Sequence, residues 1–157
     1  VESIREGAIG FKGLPHRLEM VAEKEGVSFI NDSFSTNPEP TMAAIRSFSE
    51  NKVLILGGSS KGADFVELAK EIVKHNVVGV VTIGNEAKKI QKSLIGENFT
   101  GKILSAGRDF SKAVSMAFLM AKENRGVVIF SPACASFDMF LNYKDRGYKF
   151  KKEVENL

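Results

Sequence analysis

The sequence predicts a doubly wound α/β domain: a mostly parallel sheet with helices on both faces and an antiparallel hairpin at one edge. Three observations carry that expectation. Val53-Leu54-Ile55-Leu56, Val77 to Ile83 and Val127 to Phe130 are almost wholly apolar, as strands buried on both faces must be. Stretches with helical apolar spacing alternate with them, the pattern of a parallel sheet wrapped by helices. Polar loops rich in small residues follow the strands at 31–37, 57–64 and 131–138. Right-handed crossovers bring such loops to the carboxyl edge of the sheet, where ligands bind in folds of this class.

Taken in order, Val1 to Ala8 has helical apolar spacing but is too short to be stable alone, and Gly7, Gly10 and Gly13 then loosen the chain. It reads as a leftover terminus; with no opening methionine, the chain is expected to be part of something longer. His16 to Val21 and Val27 to Asp32, joined across Glu25-Gly26, form a hairpin. Asn37 can cap a helix whose first position is Pro38 and whose inner side carries Met42, Ile45 and Phe48. A second helix places Phe65, Leu68, Ala69, Ile72 and Val73 on one face, and a third turns Ala87, Ile90 and Leu94 inward. Lys102 to Ser105 is a short strand candidate. Phe110, Ala113, Val114, Ala117, Phe118 and Ala121 then give the clearest helical stripe. A terminal helix aligns Phe150, Val154 and Leu157.

The 157 residues suffice for one domain with a real core, and 22 basic against 19 acidic residues give a net charge of only +3. Basic and aromatic residues interleave from Tyr143 to Lys152, but acids lie among them and the apolar stripe fits a packed helix, so no nucleic-acid partner is expected. One cysteine and two histidines argue against a disulfide framework and an all-protein zinc site, and suit a reducing, cytoplasmic setting. No run is long enough to span a membrane, and no signal segment opens the chain.

Gly57-Gly58-Ser59-Ser60-Lys61-Gly62 looks like an anion cradle, with glycines exposing amides, a lysine among them and a helix start after it. The Walker spacing is absent, because Lys61 follows Ser60 and precedes Gly62. Lys61 is either an anion ligand or a solvated turn lysine. Asp32, at the end of a strand, either accepts hydrogen bonds from a ribose or hydrated Mg2+, or caps its own turn. His16 and Arg17 read equally as a structural ion pair or as ligand contacts. Ser136 lacks the Gly-x-Ser-x-Gly elbow, and only His16 and His75 could serve it or Cys134 as a base. Those residues argue against nucleophilic catalysis. Cys134 reads as a small buried filler and His75 as a favourable group at a helix end.

Together, Gly13-Leu14-Pro15-His16-Arg17, Asn31-Asp32-Ser33 with Thr36-Asn37, Gly57-Gly58 with Lys61 and Ala63-Asp64-Phe65, and Ser131 to Asp138 followed by Tyr143 and Arg146-Gly147 resemble the C-terminal domain of the Mur ligase family. The Ser-Pro-Ala-Cys-Ala-Ser segment is most similar to the members that add D-glutamate to UDP-N-acetylmuramoyl-L-alanine. The resemblance implies a Rossmann-like three-layer domain over residues 11–157, with 1–10 left from a central domain or linker. It implies an ATP-dependent ligase of peptidoglycan synthesis. The substrate carboxylate becomes an acyl phosphate, and the amine of D-glutamate attacks it. Carried over by position, Thr36, Lys61, Ser136, Phe137 and Tyr143 would hold D-glutamate, while Arg17 and Asp32 would contact adenine and ribose. ATP and Mg2+ would be bound mainly by the family's central domain and the uridine group by its first, so this chain alone is expected to be inactive. One position departs from the family: Phe34 stands where a lysine is usual after Asp-Ser. A folylpolyglutamate synthetase-like domain and a stand-alone nucleotide- or anion-binding module are the competing readings.

Overall fold

The computed structural model describes residues 13–59 and 61–157, so the terminal segment Val1 to Ala8, with Gly7 and Gly10, lies outside the described residues. The elements are β1 (Glu19–Lys24), β2 (Val27–Asn31), α1 (Pro38–Arg46), β3 (Lys52–Gly57), α2 (Val66–Lys74), β4 (Val77–Ile83), α3 (Ala87–Gly96), β5 (Lys102–Gly107), α4 (Phe110–Glu123), β6 (Val127–Phe130) and α5 (Tyr143–Glu155). The sheet order is β1-β2-β6-β3-β4-β5. Only β1 and β2 pair antiparallel; every other neighbouring pair is parallel. No helix among the described residues is long and apolar enough to cross a membrane.

Alternation along the central strands divides the core in two. Val53, Ile55, Val81, Val128 and Phe130 face α4 and α5, whereas Leu54, Leu56, Val80 and Ile129 face α1, α2 and α3. Each central strand therefore buries both of its faces, which is why β6, and β3 after Lys52, are apolar. The expected parallel sheet, covered on both sides and extended by a hairpin, is the architecture found.

Several local expectations shift. The first strand starts at Glu19, not His16, because His16 and Leu18 take positive φ (65° and 45°) and the Arg17 N–H closes a turn onto the Leu14 carbonyl. Asn37 does occupy the cap position of α1 but makes no side-chain cap bond. Val73 is 45% exposed; it sits about a quarter-turn from the centre of the Phe65, Leu68, Ala69, Ile72 stripe. Leu157 is also exposed, beyond the end of α5, and the buried stripe of that helix is Arg146, Gly147, Phe150 and Val154. His75 ends α2, with Nε2 2.6 Å from Glu71 Oε1.

Glu71 also receives Nε and Nη2 of Arg46, both at 3.0 Å, linking α1 to α2. The Arg46 hydrogen bonds, with its charge and that of His75, hold the Glu71 carboxyl at about 2. A folded pKa below the unfolded value makes a contribution that is present above 4.5 and lost as pH falls towards about 2. Urea unfolding should therefore show stability dropping in that window. Glu71→Gln should flatten the drop and cost no more than about 1 kcal/mol at neutral pH, since Arg46 is largely exposed.

Candidate functional site

After Phe130 the chain runs without helix or strand from Ser131 to Asn142, and the loops after β2 and β3 close against it. The Gly57 N–H donates to the Pro132 carbonyl and the Ser59 N–H to the Ala135 carbonyl, both at 2.8 Å. Glycine is required for this approach. A Cβ on Gly57 would lie 2.0 Å from the Ile83 carbonyl oxygen, and one on Gly58 would lie 2.2 Å from that of Ala135, with φ at +123° and +148°. The two glycines thus let the end of β3 pass close to the Ile83 carbonyl of β4 and to the β6 loop, on torsion angles that side chains rarely adopt.

The β2 loop is fastened by Asp32. Its Oδ2 accepts from Ser35 Oγ at 2.5 Å and Ser131 Oγ at 2.6 Å, and its Oδ1 accepts from the Leu18 N–H at 3.1 Å. Burial pushes this carboxyl above the usual range against the pull of those bonds. Asp32 is 2% exposed, with its carboxylate turned to the segments it ties together.

A second fastener is Arg146 of α5, fully buried. Its Nε donates to Ser33 Oγ at 3.0 Å, Nη2 to the Ser33 carbonyl at 2.8 Å and Nη1 to the Cys134 carbonyl at 2.9 Å. These acceptors are neutral, and burial lowers the guanidinium to about 10. Sequence alone assigns no role to the Arg146-Gly147 pair. A readable signal existed: Arg146, Phe150 and Val154 recur at i, i+4 and i+8, putting a charge on the inward stripe of a helix.

His16 is buried against α5, where Gly147 makes room for its ring. Asn31 Oδ1 accepts from the Ser33 N–H, so the amide NH2 faces His16 Nδ1 at 3.0 Å and leaves that nitrogen as the acceptor. Burial, helped by Lys151, lowers the His16 pKa. Its Glu19 neighbour at 4.0 Å therefore faces a mainly neutral ring. Cys134 is buried and its thiol is pushed up to about 12 by burial, which suits the filler role and opposes a thiolate nucleophile.

Three cavities run along this edge. One of about 320 Å3 is walled by His16, Arg17, Phe34, Tyr143 and Tyr148. A more open one of about 480 Å3 shares Arg17 and Phe34 with it and adds Thr36 and Asn37. A third, only about 20 Å3, shares Thr36 and Asn37 and is lined by Ser59, Lys61 and Glu86. Thr36 and Lys61 thus meet in one place and Arg17 and Tyr143 in another. Ser136 is buried in the β6 loop but lines none of these three cavities, and Phe137 next to it is 72% exposed.

The sequence profile described as "Mur ligase, glutamate ligase domain" matches residues 16–134. The chain belongs to the Mur ligase family. Its relatives include UDP-N-acetylmuramoylalanine--D-glutamate ligases of Porphyromonas gingivalis, 43% identical over 99% of this chain and 34% of that protein, and of Aquifex aeolicus, 45% identical over 98% and 36%. The Salinibacter ruber enzyme of the same name is 40% identical over 98% and 32%. The chain spans about a third of the length of these curated relatives. Among solved structures, UDP-N-acetylmuramate-alanine ligase MurC of Thermotoga maritima aligns with a TM-score of 0.61 at 15% identity, over 93% of this chain and 31% of that one. MurF of Acinetobacter baumannii gives 0.62 at 18%, over 83% and 30%. At such identities the likeness shows the fold alone. This Mur ligase domain therefore has the three-layer architecture of its structural neighbours.

Proposed function

We propose that residues 11–157 form the amino-acid-receiving domain of a larger ATP-dependent ligase that joins D-glutamate to UDP-N-acetylmuramoyl-L-alanine. Residues 1–10 belong to the connection with a preceding central domain. The observation that carries this reading is the 40–45% identity, over nearly the whole chain, to proteins named for that reaction. The same names favour it over a folylpolyglutamate synthetase-like domain or a stand-alone module. Cell-wall synthesis of this kind would place the protein in the cytoplasm.

In this reading Lys61 neutralises one carboxylate of D-glutamate, and Thr36, with which it shares a cavity wall, adds a hydroxyl donor. The resemblance adds Ser136, Phe137 and Tyr143 to the receiving wall, although Tyr143 lines the aromatic cavity with Arg17 and not the small one with Lys61. A dianionic amino acid needs a cation and oriented donors, and ligation gains rate when the amine is held in line with its target. Arg17 and the aromatic cavity beside it face the nucleotide. Asp32 supports that side by holding the Leu18 amide. Bound ATP supplies the phosphoryl group that activates the acceptor carboxylate. By the family resemblance, Mg2+ would be held mainly by the central domain of the longer protein.

Titration with D- and L-glutamate, following amide shifts near Lys61 and Ser136, tests the assignment; a preference for the L-isomer would count against it. Lys61→Ala should weaken D-glutamate binding by about 10- to 100-fold, the loss of a charge-assisted hydrogen bond. Because Lys61 is exposed, its unfolding free energy should move by no more than about 0.5 kcal/mol. The 157-residue chain by itself should release no phosphate from ATP in the presence of D-glutamate and UDP-N-acetylmuramoyl-L-alanine, and turnover would refute that.

A further inference from the structure

We propose that Phe34 is a positioning residue: its ring holds the Arg17 guanidinium at the common wall of the two larger cavities, where Arg17 meets the phosphate groups of a nucleotide. This rests on the nucleotide reading of Arg17 given above, and assigns the guanidinium to the phosphates rather than to the adenine and ribose. Arg17 is tethered on both sides by the β2 loop. The Phe34 N–H donates to the His16 carbonyl at 3.0 Å, and the Leu18 N–H donates to Asp32 at 3.1 Å. With its neighbours on either side fixed, the Arg17 side chain is the main remaining freedom. That side chain lies over the Phe34 ring, with the guanidinium carbon 5.1 Å from the centroid. Phe34 is braced in turn by Tyr143, edge-on at 4.9 Å and 87°.

The placement gives the contact a use. Arg17 and Phe34 are the two residues common to the cavity of about 320 Å3 and that of about 480 Å3. On one side the walls are mostly aromatic, with His16, Tyr143 and Tyr148 beside Lys144; on the other they are polar, with Thr36, Asn37 and the Glu39 carboxylate. A nucleotide with its base on the aromatic side would bring its phosphates to Arg17 at the junction, on the Lys144 side and short of Glu39. Phe34 is itself 43% exposed, in a loop whose other residues, Asp32, Ser33, Ser35, Thr36 and Asn37, are polar. An exposed ring under a guanidinium costs little in folding yet reduces the rotamer freedom that an arginine loses on binding.

The test has two readouts, the first on the 157-residue chain and the second, ATP binding, on the longer protein that carries it. In the ligand-free protein, the Nε–Hε order parameter of Arg17 should fall in Phe34→Leu and be retained in Phe34→Tyr; an unchanged value in Phe34→Leu overturns the proposal. With ATP as the probe, Phe34→Leu should weaken binding roughly three- to tenfold, the effect of one arginine left unordered. Phe34→Tyr should stay within about twofold. Arg17→Ala/Phe34→Leu should bind no more weakly than Arg17→Ala, since both changes remove one interaction. Fully additive losses overturn the positioning role and make Phe34 a direct stacking surface for the base. If ATP binds equally to the unaltered protein and to Arg17→Ala, or to neither, the nucleotide reading fails and so does the ligand assigned here. The order parameter then still decides whether Phe34 holds Arg17.

Discussion

Replacing Arg146 by methionine should lower the unfolding free energy by about 2–4 kcal/mol, and replacing it by lysine should cost at least as much. Methionine fills much of the volume and removes a desolvated charge, a gain that partly offsets the loss. It leaves the carbonyls of Ser33 and Cys134 without the donors that now satisfy them, and an unsatisfied buried acceptor costs about 1–3 kcal/mol. Lysine keeps the charge but has a single nitrogen in place of the fork that reaches Ser33 and Cys134 together. Urea unfolding of the three proteins gives the ranking. Amide exchange at Ser33 and Cys134 should accelerate in both variants before the rest of the sheet responds. A methionine variant as stable as the parent would remove the claim that Arg146 fastens the loops.

Gly58→Ala should be comparably severe, about 3–5 kcal/mol, through steric conflict and backbone strain together. The new Cβ would sit 2.2 Å from the Ala135 carbonyl oxygen and 3.0 Å from Cys134 Cβ, on a backbone at φ +148°. Gly62→Ala is the informative control. It also has positive φ, +74°, but open space around the position, so it should lose only about 1–2 kcal/mol. If the two substitutions cost the same, the close approach at Gly58 contributes nothing beyond its torsion angle. In the folded fraction of Gly58→Ala the bridge between Ser59 and Ala135 should open, and D-glutamate affinity should fall with it.

Sequence patterning carried the layers well. β4 spans the residues expected from its apolar run, and the α4 stripe from Ala113 to Ala121 is buried as its spacing implied. Such signals survive because burial of a repeated face dominates the energy of each element. What was illegible is what depends on residues far apart in the chain. The turn at His16 looked like strand because its residue types fit one; the bonds from Asn31 and the space over Gly147 impose its positive φ. The convergence of the carboxyl-edge loops followed from topology, but the fasteners did not. Asp32 was read as a ligand or a local cap, and in the fold it also bonds Ser131, a partner on another strand's loop. Arg146 reaches Ser33 and Cys134 from the terminal helix. The departure at Phe34 was visible as a residue type, whereas its contact with Arg17 required the turn to be folded.

The position of β6 has a consequence for how the chain acquires its shape. Although last among the strands in sequence, it lies between β2 and β3, pairing Ser28 with Val127 and Val53 with Val128. A growing polypeptide can assemble β3, β4 and β5 with α2 and α3 as soon as those segments emerge. The hairpin made before them has no parallel neighbour in the sheet until β6 arrives. Pairings so distant in sequence are slow to form and leave strand edges unpaired meanwhile. The Asp32–Ser131 and Arg146–Ser33 bonds can form only after that insertion, so the carboxyl edge of the sheet is the last part of the domain to mature.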